Sequence, residues 1–269
     1  MHEGGDGSPL LLLHGVGGTW RAWLPILPGL ERLHHVIAPT LSGHDGALPL
    51  PPGAAPSIAA IADALEADLD RRGIDRLHVV GNSLGGWLAL ELARRGRARS
   101  VVAFSPAGAW SSEVRMTALI ASMRASFLLG GRLAPRADAI ARSPRWRRML
   151  LGSQVEYPDR LEPAEIAEEL RSITRSPIVR PLIRVLRRHP LLPLPADTDR
   201  PVRIVWPDRD RVIPFEHYGR PMMARLPGAE LVRMSGVGHV PMTDDPVGVT
   251  VTILEVTRPL EHAVDERRG

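Results

Sequence analysis

The 269 residues are 44% hydrophobic and 24% charged, an ordinary globular composition with enough chain to bury a core unaided. There is no cysteine, which excludes thiol nucleophiles, disulfide staples and Cys-based zinc sites. All 34 basic residues are arginine and the net charge is +4, but only 4% of side chains are aromatic and no zinc-finger spacing or aromatic-interleaved basic stripe occurs, so no nucleic-acid partner is expected.

The opening MHEGGDGSP lacks a basic stretch followed by an apolar one, and no later segment has the roughly 18 apolar residues of a bilayer span. The expectation is a soluble, cytoplasmic protein with no stable membrane insertion. Residues 10–13 are a short apolar run that predicts a buried strand ending in the Gly-rich loop at 14–18. A helix is expected over 20–33 and a second strand over 35–38, stopped by Pro39. After a Pro/Gly-rich loop, Ser57 reads as an N-cap. Behind it Ile58, Ile61, Ala62, Leu65 and Leu69 recur at helical spacing until Gly73. Strand 77–80, helix 84–95 and strand 101–104 follow, and this alternation predicts a parallel sheet with crossover helices.

The alternation stops over 107–196, where only helices are predicted, at 114–129, 137–150, 163–175 and 178–188. It resumes with strand 202–206, helix 215–226, strand 230–234 and a helical tail after Pro246. The helical segment nearly coincides with an uneven charge: from Arg94 to Arg188 there are 19 arginines against 8 acids, whereas the remainder has 15 against 22. Arginines on exposed helix faces are ordinarily just solvated; the alternative is a basic patch that guides an anionic substrate or surface.

Gly81-Asn82-Ser83-Leu84-Gly85 fits the pattern G-x-S-x-G between a predicted strand and a predicted helix, the setting that a nucleophilic serine on a tight turn requires. Side chains at either glycine would collide with such a turn. A serine hydroxyl needs a base, and His239 lies in the turn-rich stretch Gly238-His239-Val240-Pro241 just beyond a late strand. The loop after the preceding strand, WPDRDRVIP at 206–214, offers two carboxylates to orient it, Asp208 and Asp210.

Four motifs in this order, HGVGG at 14–18, GNSLGG at 81–86, PDRDRVIP at 207–214 and GHVP at 238–241, resemble the α/β-hydrolase family. The resemblance implies an α/β fold with a mostly parallel sheet flanked by helices. It implies a core of residues 1–106 and 197–269 and an inserted all-helical cap at 107–196. It implies a catalytic Ser83, His239 and Asp210, with Asp208 as the fallback acid. Backbone N–H groups of Val16 and Leu84 would form the oxyanion hole, and His14 and His44 would be structural. No metal or organic cofactor is implied. The expected activity is hydrolysis of a small-molecule acyl bond, by default a carboxylic ester, with carbon–carbon bond hydrolysis of a dienoate or β-diketone, or thioester hydrolysis, as alternatives. A catalytically silent ligand-binding protein on the same fold is the alternative outside enzymes, and a homo-oligomer is left open. Few residues precede the first predicted strand, Pro207 stands where relatives usually carry glycine, and Thr40 and Asp45 replace an Asp and a Gly.

Overall fold

The computed structural model describes residues 1–51, 53–188, 190–195 and 200–265. Its strands are β1 (His2–Gly4), β2 (Ser8–Leu13), β3 (His34–Ala38), β4 (Leu77–Asn82), β5 (Ala98–Phe104), β6 (Val202–Pro207) and β7 (Glu230–Met234). They form one seven-stranded sheet in the order β1-β3-β2-β4-β5-β6-β7. β1 is antiparallel to β3, and the other neighbours are parallel. The helices in chain order are α1 (Leu27–Leu30), α2 (Ile58–Arg71), α3 (Leu84–Arg94), α4 (Glu113–Leu133), α5 (Ala137–Arg142), α6 (Pro144–Leu151), α7 (Pro163–Ser172), α8 (Val179–Val185), α9 (Arg220–Arg225), α10 (Pro241–Asp244) and α11 (Pro246–Asp265).

The period-two pleat sorts each central strand onto two cores. Leu11, Leu13, Val79, Val101 and Ile204 pack with α2 and α3 on one face. Leu10, Leu12, Val80, Val102 and Val205 pack with Trp23, Leu30, Val249 and Ile253 on the other. Helices on both faces explain why these strands read as unbroken apolar runs. A third cluster, with Ala137, Ile140, Leu151, Val155, Ile166 and Leu170, lies within the segment that joins β5 to β6. That segment contains α4 to α8 and, among the described residues, no strand. The expected boundary at 196/197 lies outside the described residues. No helix among them is long and apolar enough to cross a membrane.

Several elements differ from expectation for local reasons. The helix expected over 20–33 is two pieces, a 3₁₀ turn at Trp20–Trp23 capped by Thr19 and then α1. Pro25 and Pro28 lack the N–H groups that a continuous helix would use. The helix expected over 137–150 breaks at Ser143, which is extended (φ −96°, ψ 114°) because it precedes Pro144. The helix expected over 215–226 begins as a π-helix, Phe215–Gly219, before becoming α9. α4 runs past the expected end at 129, and a Cβ on its buried Gly130 would press on Ile173 Cδ1 at 2.8 Å. β1, with only three residues and no apolar pattern, had no sequence signal.

Candidate active site

β4 and α3 meet at Ser83, whose backbone has φ 56° and ψ −111°. A non-glycine residue there costs of order 1–3 kcal/mol, so its surroundings must hold it. Ser83 N–H donates to the Phe104 carbonyl at 2.9 Å, and the Ser83 carbonyl accepts from Trp87 and Ala107 N–H at 3.1 and 3.0 Å. The flanking glycines are sterically required: a Cβ on Gly81 would strike the Gly85 carbonyl, and one on Gly85 would strike the Leu13 carbonyl. The turn leaves Ser83 partly accessible at the head of α3, where the helix dipole favours negative charge.

The loop at 14–18 lies against this turn, close enough that a Cβ on Gly15 would come within 3.5 Å of Ser83 Cβ. His14 shapes the loop. Its Nδ1–H donates to the Gly15 carbonyl at 2.7 Å, and its Nε2 accepts from Leu41 N–H at 2.9 Å. Burial, helped by the nearby His44, pushes the His14 pKa down to about 3. With both ring nitrogens committed to backbone, His14 has no lone pair left to act as a base. The His44 ring meets it edge-on at 5.1 Å and is likewise pushed down by burial, to about 4. Among the described residues neither Val16 nor Leu84 N–H has a protein acceptor. For Leu84 this follows from its place in the first turn of α3.

Asp210 follows β6 and His239 follows β7, and the loops converge so that His239 Nδ1–H donates to Asp210 Oδ2 at 2.7 Å. Both residues are 5% exposed. The other carboxylate oxygen, Oδ1, accepts from Val212 and Ile213 N–H at 2.9 and 2.8 Å, which fixes its orientation. The other carboxylate of this loop, Asp208, is exposed and accepts from Gly236 N–H at 2.8 Å. Pro207, in place of a glycine, is simply the last residue of β6, in register with Met234. A hydrogen bond between Nδ1–H and a carboxylate leaves the lone pair of His239 on Nε2. Nε2 makes no hydrogen bond to Ser83 Oγ in this structure; such bonds are often long until substrate tightens them.

Two residues around the site escaped the sequence reading. Asn82 Nδ2 donates to the His239 carbonyl at 2.9 Å and so ties the serine turn to the histidine loop. Asp244, 3% exposed, accepts from Gly238 N–H at 2.8 Å. A cavity of about 370 Å³ lies beside the site, reached by Gly18 and Val240 from the core and by Val155, Glu169 and Ser172 from the helical segment. Ser83 and His239 do not line it. Glu169 lines this cavity, and desolvation there, then the charge of Glu165, raises its pKa.

Residues 10–252 match the family model described as "Alpha/beta hydrolase family". An epoxide hydrolase of Mycobacterium tuberculosis, EphH, is 34% identical over 202 residues, covering 73% of this chain and 93% of EphH. A 2-hydroxy-6-oxo-2,4-heptadienoate hydrolase of Pseudomonas putida is 37% identical over 98 residues, covering 35% of each chain. Among solved structures, a thermophilic esterase from Thermogutta terrifontis superposes with a TM-score of 0.70 at 22% identity, over 97% of this chain and 93% of the esterase.

Proposed function

The chain belongs to the alpha/beta hydrolase family and is a hydrolase, and from that premise we propose that it cleaves a carboxylic ester of a small molecule with Ser83 as nucleophile, His239 as base and Asp210 as the orienting acid. The observation that carries this reading is the 2.7 Å bond from His239 Nδ1–H to Asp210, in a molecule whose elbow serine sits at φ 56°. His239 Nε2 takes the hydroxyl proton as Ser83 Oγ attacks the carbonyl carbon. The developing oxyanion turns toward the Val16 and Leu84 N–H groups, each such donor being worth about 10²–10³ in kcat. Collapse breaks the bond to the alcohol oxygen, which leaves with the proton from His239. Water then attacks the acyl-enzyme by the same route, releasing the acid and restoring Ser83. In this reading residues 107–196 form the cap over the site and supply the substrate contacts.

The likeness to an epoxide hydrolase raises a second reaction, and chemistry decides against it. A serine that opens an epoxide becomes an ether, which has no carbonyl for water to attack, so the enzyme would not turn over. A carboxylate nucleophile would avoid this, but the elbow residue is Ser83. Carbon–carbon hydrolysis of a dienoate stays as the alternative, because the same serine and base can serve it and a relative of that name matches part of the chain.

The test is a panel of short and long p-nitrophenyl esters, thioesters, ring-cleavage dienoates and an epoxide, run with wild type and Ser83→Ala. Turnover of esters lost in Ser83→Ala is expected. A variant keeping more than about a tenth of wild-type kcat, a loss below ~1.4 kcal/mol, contradicts the nucleophile assignment. Dienoate turnover without ester turnover replaces the substrate class.

A further inference from the structure

One segment of the helical region contacts the residues on both sides of both supporting residues, through side chains beside Asp210 and through backbone beside His239. The strap at 152–157 follows α6. Beside Asp210, Arg209 Nη1 pairs with Glu156 Oε1 at 2.6 Å. Arg211 pairs with Glu156 Oε2 at 2.8 Å and donates to the Gly152 carbonyl at 2.8 Å. Beside His239, Val240 N–H donates to the Gln154 carbonyl at 2.9 Å. Gly238 lies so close that a Cβ there would be 2.7 Å from the Gln154 carbonyl oxygen and 3.0 Å from Glu156 N.

Asp244 is the joint between strap and loop. Its Oδ2 accepts from Gly238 N–H at 2.8 Å and from Glu156 N–H at 2.9 Å, while Oδ1 accepts from Tyr157 N–H at 2.9 Å. Arg160 Nη1 donates to the Asp244 carbonyl at 2.5 Å. A buried carboxylate that gathers three N–H groups from two distant segments makes bonds of the stronger, charge-assisted kind. The chemical steps proposed above give it no role.

We propose that Asp244 is a positioning residue that locks the His239 loop to the strap at 152–157, so that seating of the helical region and alignment of His239 with Asp210 are one event. This rests on the assignment of Ser83, His239 and Asp210 made above. Asp244→Asn is nearly isosteric, but its amide presents hydrogens where one oxygen accepted, so at least one N–H loses its acceptor. A misplaced base is costly: displacements near 1 Å caused far from the chemistry cost about 10²-fold in rate.

The experiment compares wild type, Asp244→Asn, Glu156→Gln and Ser83→Ala, with Asp159→Asn as a control that breaks only an exposed pair with Arg148. Three quantities are read: kcat and KM for a short neutral ester, with active sites counted by a fluorophosphonate probe, and the low-field proton resonance of His239 Nδ1–H. Asp244→Asn is expected to lose about 10²-fold in kcat per labelled site with KM little changed, and to lose or broaden the resonance. Glu156→Gln, which keeps the strap backbone, is expected to fall in the same direction by a smaller factor, and the control is expected to behave as wild type.

A purely structural Asp244 would lower Tm while leaving kcat per site within about threefold of wild type and the resonance in place, and that result overturns the proposal. Should Asp244→Asn not fold, Asp244→Ser, too short to bridge the three N–H groups, takes its place, and an unchanged kcat per site and resonance there overturns the proposal equally. Failure here while Ser83→Ala is inactive leaves the nucleophile assignment standing. A wild type that neither labels at Ser83 nor shows the resonance removes that assignment and this proposal together.

Discussion

Asp208 and Asp210 sit two positions apart in one loop and do different work. Asp210 meets the His239 ring, and Asp208 ties its loop to Gly236. Asp210→Asn would offer His239 an amide hydrogen and favour the wrong tautomer, which in serine proteases lowers kcat by about 10⁴. Asp208→Asn is expected to stay within about tenfold of wild type, a loss below ~1.4 kcal/mol. Steady-state kinetics of both variants at one pH checks this, and the reverse ranking contradicts the assignment. At this scale Ser83 and His239 were legible because glycine spacing and turn residues are local signals. The choice between the aspartates depends on which carboxylate the Val212 and Ile213 N–H groups orient toward the ring, and spacing alone left both open. Asn82 and Asp244 carried no local mark, because each ties together segments far apart in sequence, Asn82 reaching His239 over 157 residues and Asp244 reaching Glu156 over 88.

Element boundaries followed the same logic. Strands of the parallel sheet and the Ser57-capped α2 were legible because hydrophobic periodicity and capping act within one element. Proline breaks at Ser143 and before α1 were in the sequence but outweighed by the apolar pattern around them, and β1 depends on pairing with β3. The buried polar ties between elements were not legible. His78 of β4, fully buried, contacts Ser100 of β5 at 2.7 Å and Glu261 of α11 at 2.7 Å. Burial pushes the His78 pKa down to about 4, despite the raising effect of Glu261. With His14 at about 3 and His44 at about 4, three histidines stay neutral in the fold well below their ordinary 6.5. As pH falls below 6.5 the unfolded chain takes up protons that the native state refuses, so stability present above 6.5 declines toward 4. Each such histidine adds a slope of up to about 1.4 kcal/mol per pH unit. The urea midpoint is expected to drop between pH 6.5 and 4.5, and to drop less in His78→Gln. An unchanged midpoint over that window contradicts the buried-neutral state.

Over the whole molecule the charges oppose one another. Arg115, Arg124, Arg132, Arg136, Arg142 and Arg145 are exposed and, among the described residues, form no ion pair. The cavity beside the site carries both signs, Asp45, Glu165, Glu168 and Glu169 against Arg21 and Arg175. A basic exterior speeds arrival of an anion, and over a Debye length of ~10 Å at 0.1 M salt that help is screened. kcat/KM for a carboxylate-bearing ester should therefore fall with salt while that of a neutral ester of equal size stays flat, and Arg184→Gln with Arg187→Gln should reduce the difference. Equal slopes would leave the arginines as solvated surface. Substrate identity was not legible because the helical region specifies its shape through contacts with distant loops rather than through a motif. Whatever the substrate, the proposed reaction passes through a covalent acyl group at Ser83. Rapid quenching during turnover of p-nitrophenyl acetate, followed by intact mass and peptide mapping, tests this directly. One acetyl group is expected, on the peptide containing Ser83 and absent in Ser83→Ala; an acetyl group on another residue, or ester turnover undiminished in Ser83→Ala, rules out Ser83 as the nucleophile.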